Sequence, residues 1–301
     1  MDISIIIVNY NTKDLLKNCI DSIYTHTHGV EFEIIVVDNA SSDGSQEYIK
    51  NNFSDIVLIC SDNNLGFGRA NNLGVKYAKG EFLFLLNSDT LLVENSIEKL
   101  LSFFIKHQHK LNIGVVGTIL VDEHLKNNGF GSDFPTCAKE HKKNLLTVPF
   151  LKHFVKNSPE RVYDFGNEYF EIDYVIGADM LLKKSLFEEM GGFSAEFFMY
   201  FEESDLQKRI SKLGYHQYIF TKTKIIHLEE GSGKAINNYS NKKRIITNQS
   251  RIIYLKRNDA QNFYKCSLSF TIILFLNFFN HKYTFKENIL YFKQVLKVLL
   301  K

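Results

Sequence analysis

The segment FLFLLNSDT (82–90) runs five apolar residues straight into Asn87, Ser88 and Asp89. A short, uninterrupted apolar run is a strand buried on both faces, as in a parallel sheet. The same construction occurs twice earlier: Ile3–Val8 leads into Asn9-Tyr10-Asn11, and Phe32–Val37 leads into Asp38-Asn39. Ile56–Cys60 and Ile113–Gly117 are two further β-branched runs. Between the runs the apolar spacing becomes helical. Thr12 stands where an N-cap would, Asp14 falls in the first turn, and Leu15, Leu16, Cys19, Ile20 and Ile23 form one stripe. A second helix is expected from about Arg69 to Lys79, stopped by Gly80. A third runs from Glu202 through Leu206, Ile210 and Leu213 to Gly214. Strands and helices in alternation predict an α/β fold, with a mostly parallel, doubly wound sheet flanked by helices.

In such a sheet, ligands bind beyond the carboxyl ends of the strands. Asn9-Tyr10, Asp38 and Asn87-Ser88-Asp89 all fall there. Each alone is an ordinary polar turn, but together they converge on one sheet edge and mark a site. Asp89 is an oxygen ligand suited to Mg²⁺ or Mn²⁺, and such a cation can bridge diphosphate oxygens. Asp38 suits a nucleobase or ribose. No GxGxxG or GxxxxGK[ST] sequence is present, so neither a nicotinamide site nor a P-loop is indicated.

A second acidic cluster, Glu202-Glu203-Ser204-Asp205, opens the third helix. Carboxylates at a helix N-terminus are stabilising through the macrodipole, which accounts for one or two of them. Three acids in four residues, beside Phe197, Phe198, Tyr200 and Phe201, also suit a general base among aromatics that can stack on a sugar. His227 follows the strand-like Ile225 and Ile226 and precedes the turn Gly231-Ser232-Gly233. A lone histidine is more often structural, yet this placement makes it a metal-ligand candidate.

The chain has 301 residues, 45% hydrophobic and 23% charged, a balance that excludes a disordered polypeptide. Cys19, Cys60, Cys137 and Cys266 are widely spaced, with no CxxC pair. That argues against a disulfide framework or zinc site and for a reducing cytoplasm. No apolar run near the N-terminus is long enough for a signal peptide. All three prolines fall between residues 122 and 170, read as loops and short helices forming a lid or acceptor surface. Residues 240–301 carry twelve Lys and Arg against Asp259 and Glu287, a net of +10; the whole chain is +2, leaving −8 on residues 1–239. Residues 266–280 are almost wholly apolar but short for a helical span, which needs about 20 residues. Residues 285–301 carry an amphipathic helix pattern with Lys293, Lys297 and Lys301 on one face. Residues 236–301 are read as a helical appendage, either packed as a hairpin or lying on an anionic membrane surface. Nucleic acid is the poorer partner, because the charges are interleaved with Phe, Leu and Ile.

Seven segments carry a family resemblance: SIIIVNYN (4–11), IIVVDNASSDGS (34–45), NNLGFGRANNLG (63–74), FLLNSDT (84–90), YVIGADMLLKKSLFEEMGGF (174–193), FFMYFEESDLQKR (197–209) and IIHLEEGS (225–232). In this order they resemble the bacterial inverting glycosyltransferases of family 2, with the GT-A fold, and most closely the rhamnosyltransferase-like branch. The resemblance covers roughly residues 3–235, the expected catalytic domain. It implies that Asn9 and Tyr10 line the nucleoside pocket, that Asp38 contacts the base, and that Asn64, Gly66 and Asn71 flank the donor. Asn87, Ser88 and Asp89 would stand for the family's D-x-D element, with Asp89 the metal-binding acid and His227 an additional ligand for Mn²⁺ or Mg²⁺. Gly177, Ala178 and Asp179 would line the sugar and acceptor pocket. The family usually has Glu-Asp where this chain has Glu202-Glu203, which places the base at Glu203, one methylene longer than usual. Glu202 and Asp205 are the alternatives. The implied reaction moves a sugar, L-rhamnose from dTDP-rhamnose, onto a saccharide or lipid-linked acceptor in cell-surface polysaccharide synthesis. A UDP-hexose, UDP-N-acetylhexosamine or GDP-mannose donor is the enzymatic alternative; an inactive nucleotide-sugar-binding scaffold is the non-enzymatic one.

Overall fold

The computed structural model describes residues 1–146, 161–228 and 240–301. They fall into two compact units: described residues of Met1–Asp133, Tyr163–Phe198 and Glu203–Lys234, and described residues of Phe134–Val162, Met199–Glu202 and Ala235–Lys301.

The first unit carries the sheet. It begins β1 (Ile3–Asn9), α1 (Lys13–His26), β2 (Phe32–Asp38), α2 (Ser45–Asn52), β3 (Val57–Cys60), α3 (Phe67–Val75) and β4 (Phe82–Asn87). Strands β3-β2-β1-β4 are neighbours and all parallel, with Ile3 beside both Phe32 and Phe82. Their side chains alternate between two cores. Ile5, Ile7, Val36, Phe84 and Leu86 pack on one face with Leu16, Cys19, Ile20 and Ile23 of α1. Ile6, Ile35, Val37, Leu83 and Leu85 pack on the other with Ala70 and Val75 of α3. Burial on both faces is why these strands read as unbroken apolar runs.

Beyond β4 the chain continues through β5 (Thr90–Leu92), α4 (Ser96–Leu111), β6 (Ile113–Val121), β7 (Asn127–Gly129) and β8 (Gly131–Ser132). After α5 (Cys137–Leu146), which belongs to the second unit, come β9 (Tyr169–Ile172), β10 (Tyr174–Val175), β11 (Asp179–Lys183), α6 (Lys184–Glu189), α7 (Glu202–Lys212) and β12 (His216–His227). The full order is β3-β2-β1-β4-β11-β6-β12-β5. The sheet turns mixed at β11, which lies antiparallel to both β4 and β6, while β12 is parallel to β6 and antiparallel to β5. This is the expected α/β sheet flanked by helices, with its parallel part confined to one half and to the β6–β12 pair.

Three local expectations are corrected. Thr12 sits at the N-cap of α1 but makes no side-chain cap; its hydroxyl donates to Asn9 Oδ1 (2.7 Å). Asp43 accepts from the Lys13 N–H instead (2.8 Å). Helix α3 ends at Val75, before Gly80. Leu213 lies half-exposed at the end of α7 rather than on its buried stripe, and Gly214 ends the turn at φ 86°.

The second unit is helical among its described residues: α5, α8 (Asn241–Asn258), α9 (Phe263–Leu276) and α10 (Phe285–Leu300). The Arg244 guanidinium on α8 lies between the rings of Tyr283 and Tyr291, 4.0 and 3.8 Å from their centres, and donates to Asn288 Oδ1 (3.1 Å). α9 is tied to α5, with Asn144 Nδ2 donating to Ser269 Oγ (3.2 Å). Residues 147–160, the centre of the region read as a lid, lie outside the described residues, as does the turn after Leu228.

Gly80 shows how tightly the sheet edge is closed. A Cβ there would stand 2.4 Å from the Ser4 nitrogen and 2.6 Å from the Ile3 carbonyl carbon, and backbone cannot yield as a side chain can. Gly80→Ala is expected to lower stability by about 1–3 kcal/mol, read as a lower urea midpoint at unchanged slope.

Candidate active site

The carboxyl ends of β1, β2 and β4 are joined by side chains. Asn9 and Asp38 face each other in the parallel register, and Asn9 Nδ2 donates to Asp38 Oδ2 (2.9 Å) and to Ser41 Oγ (3.1 Å). The other Asp38 oxygen accepts from the Ser41 N–H (2.9 Å) and Gln46 Nε2 (2.8 Å). Asn9 Oδ1 accepts from Thr12, whose hydroxyl also meets Ser88 Oγ at 2.9 Å. Thus Asn9, Asp38 and Ser88 are brought together, with Tyr10 beside them and half-exposed. Asn11 and Ala40, at φ 54° and 67°, turn the two strand ends sharply.

The next loop is built on Asn39. Its Oδ1 accepts from the Leu65 N–H (2.7 Å) and its Nδ2 donates to Asn64 Oδ1 (3.0 Å). Gly66 is at φ 82°, and a Cβ on it would stand 1.9 Å from the Phe198 carbonyl oxygen. Only glycine permits both the left-handed backbone and that approach. Asn71 is buried on α3, its Nδ2 donating back to the Phe67 carbonyl (3.1 Å), so it braces the helix beneath this loop.

Asp89 and His227 meet at the far side. β5 and β12 pair so that Thr90 is opposite His227, and the Leu228 N–H donates to the Asp89 carbonyl (2.9 Å). His227 Nε2 lies 3.3 Å from Asp89 Oδ1 and 3.5 Å from Asn87 Nδ2. Asp89 and His227 are both buried. A carboxylate oxygen and an imidazole nitrogen at this separation fit a divalent cation whose remaining positions a ligand's oxygens can fill. Among the described residues no group of three or more His, Cys, Asp or Glu is assembled, so those residues offer Asp89 and His227 here.

The acidic cluster divides by function. Asp205 is buried, and its Oδ2 lies 3.0 Å from Arg209 Nε, which it accepts. Arg209 in turn donates to the carbonyls of Met190 (2.6 Å) and Gly192 (2.7 Å), so Asp205 fixes the 190–192 turn. Glu202 is buried and belongs to the helical unit. Glu203 lies near Gly177, where a Cβ would be 3.8 Å from the Glu203 Cβ. Burial pushes the Glu203 carboxyl up to about 7, while the N–H groups of Glu203 itself and Ser204 pull it back. Those two amides belong to the first turn of α7. Tyr174 is close enough for the Glu203 charge to add to burial in raising its phenol. Ahead of the cluster, Tyr200 and Phe201 both have left-handed backbone, φ 71° and 68°. Such strain in bulky residues is uncommon and concentrates at functional sites.

Ala178 and Asp179 lie deeper than expected of pocket-lining residues. Ala178 is buried, with its carbonyl accepting from the Asn87 N–H (3.0 Å). Asp179 is wholly buried, Oδ2 accepting from the Thr118 N–H (2.7 Å), and burial raises its carboxyl well above the ordinary range. Gly177 alone of the three is part-exposed. Two supports have no reading in the sequence, Ser41 and above all Gln207, while Thr12 and Asn39 act through partners far along the chain. Gln207 grips the Val175 backbone with both ends, Nε2 donating to its carbonyl and Oε1 accepting from its N–H, each at 2.8 Å. Its signal was a polar residue one position from Leu206, on the buried face of an amphipathic helix.

A helix-flanked sheet with a parallel half and a polar edge at its strand ends is a GT-A architecture. Residues 4–191 match glycosyl transferase family 2, and the chain belongs to that family. It is 29% identical over 203 residues to the low-salt glycan biosynthesis hexosyltransferase Agl10 of Haloferax volcanii, covering 67% of this chain and 59% of that protein. It is 31% identical over 155 residues to the minor teichoic acid biosynthesis protein GgaB of Bacillus subtilis, covering 48% of this chain but 17% of that one. The chain therefore spans less than two thirds of the length of either relative. The mannosyltransferase PcManGT from Pyrobaculum calidifontis, solved in complex with GDP-Man and Mn²⁺, superposes with a TM-score of 0.58 at 14% identity, covering 99% of this chain and 86% of that one. At that identity the likeness speaks for the fold alone.

Replacing Gln207 by Leu leaves two buried backbone groups of Val175 without partners. Each costs about 1–3 kcal/mol, so Gln207→Leu should lower the thermal midpoint by several degrees. Circular dichroism melting checks this.

Proposed function

We propose that the chain transfers a sugar from a nucleoside-diphosphate donor to an acceptor hydroxyl, with inversion at the anomeric carbon. The observation that carries this reading is Glu203, half-buried at the start of α7 beside Gly177, with its carboxyl pushed up to about 7 by desolvation. A base serves best when its pKa lies near the working pH, because it is then both partly ionised and basic enough to take the proton. The acceptor oxygen attacks the anomeric carbon as its proton passes to Glu203. The bond from that carbon to the donor's phosphate oxygen breaks, and the nucleoside diphosphate leaves with the electron pair. Asn9, Asp38 and Asn64 hold the nucleoside side of the donor, with Tyr10 over it. Asp89 and His227 would hold Mn²⁺ or Mg²⁺, whose charge neutralises the departing diphosphate. Gly177 leaves room at the sugar, and Asn87 and Ser88 keep the strand end in place.

For the donor we propose dTDP-L-rhamnose, on the resemblance of the ordered segments to the rhamnosyltransferase-like branch. The acceptor we propose is a saccharide or lipid-linked saccharide of a surface polysaccharide, in keeping with the glycan and teichoic acid roles that the two relatives' names carry. A panel of dTDP-rhamnose, UDP-hexoses, UDP-N-acetylhexosamines and GDP-mannose, read as nucleoside diphosphate release with Mn²⁺ or Mg²⁺, separates these donors. Binding without release from every donor would favour a scaffold.

Glu203→Gln should lower turnover at least about 100-fold and leave donor affinity within error, measured by calorimetry alongside the release assay. The wild-type kcat/KM should fall as pH drops through about 7, because protonation removes the base. An acidic limb persisting unchanged in Glu203→Gln would remove Glu203 from this role.

A further inference from the structure

The helical unit carries an apolar stripe. Along α9 and the turn after it, Tyr264, Leu268, Ile272, Phe275 and Phe279 recur at helical spacing, and every one is exposed. The opposite side of α9, at Cys266, Ser269, Phe270 and Leu274, is buried. Rows of large apolar side chains left in water are uncommon on soluble proteins and mark interaction surfaces. At the turn between α9 and α10, Phe275, Phe278, Phe279 and Phe285 line an open apolar cavity of about 560 Å³.

Charge says what covers this surface. Among the basic residues beyond 240, Arg244 is spent between two tyrosine rings, and Lys256 donates to the carbonyls of Val298 (3.0 Å) and Leu299 (2.9 Å) at the end of α10. Lys265, Lys282, Lys286, Lys293, Lys297 and Lys301 are all exposed on α9, α10 and the segments bordering them. Lys282 and Lys286, both exposed, lie within three residues of Phe285, which lines the cavity. Acids are scarce there: Glu287 is engaged in the capping box of α10 with Thr284.

Ala260–Phe279 is 20 residues long and apolar enough to cross a membrane, yet only its exposed side is available for lipid. The buried side is hydrogen-bonded to α5, which carries Lys139, Glu140, Lys142 and Lys143 and would have to follow α9 into hydrocarbon. Lying flat avoids that burial of charge, and lysine stems can reach up to phosphates while their apolar neighbours go down.

We propose that the α9–α10 hairpin is a docking element for the surface of an anionic phospholipid bilayer. The α9 stripe and the turn aromatics enter the acyl boundary, the lysines meet headgroup phosphates, and the turn cavity takes the end of an acyl chain. Nothing in this inference rests on the transferase reading.

Flotation of the full chain tests it, with vesicles of phosphatidylcholine alone and of phosphatidylcholine mixed with phosphatidylglycerol. Strong binding is expected only to the mixed vesicles, weakening with added salt. Phe279→Ser with Phe285→Ser, both at exposed positions, should weaken binding at least about tenfold, with the melting temperature unchanged. Lys282→Glu with Lys286→Glu should weaken binding to the mixed vesicles and flatten its salt dependence. Absence of flotation with either vesicle overturns the proposal, as does binding that neither double variant reduces. A lipid-free dimer in sedimentation velocity that Phe279→Ser dissociates also overturns it, because a second copy then covers the stripe.

Discussion

The hydrogen bond from Asn9 to Asp38 holds together the edge on which the catalytic unit depends. β1 and β2 are parallel and buried on both faces, so their backbones find partners only along the sheet, and the pairing ends where these two side chains face each other. From there the contacts continue without a gap through Thr12 to Ser88 at the end of β4. Three strand ends are thus fixed by polar side chains whose hydrogen bonds are all satisfied. A buried polar network in that state is rigid, whereas one with a missing partner is costly. It gives the candidate site a floor that does not need a ligand to form.

The other side is built differently. Glu203 and Gly177 are set by α7 and the segment before β11, and Gln207 clamps them by bonding both polar groups of Val175. Glu203 follows two strained residues, Tyr200 and Phe201, whose left-handed backbones cost on the order of 1–3 kcal/mol each. That strain is opposed within the helical unit, where the Phe201 ring lies 5.7 Å from that of Tyr254 and Ser250 Oγ donates to the Met199 carbonyl (2.8 Å). The chain is forced to turn sharply just before Glu202, and the helix that follows starts with its amides against the Glu203 carboxyl.

Much of this was legible because two-sided burial writes itself as unbroken apolar runs. β1, β2, β3, β4 and the start of β6 lie where those runs lie, and the polar residues at three strand ends do meet at one edge. What stayed hidden depends on partners far apart in sequence. Thr12 looks like a cap but spends its hydroxyl on Asn9 and Ser88. Asp205 looks like a third candidate base but carries Arg209. The antiparallel entry of β11 leaves no periodic signature, because Met180, Leu181 and Leu182 are buried as any central strand would be. Resemblance placed Asp179 on a pocket wall, whereas its full burial is a property of the three-dimensional packing around Thr118.

Gly66 has a wider consequence. The Phe67 N–H donates to the same Phe198 carbonyl that a Cβ at 66 would strike, at 3.1 Å. The loop at Gly66 and the residue five positions before Glu203 are therefore stapled at a point with no slack. Under the proposed reading one backbone anchor would serve both the donor loop and the approach to the base. A side chain at residue 66 would then disturb two parts of the candidate site at once, where an ordinary substitution removes a single contact.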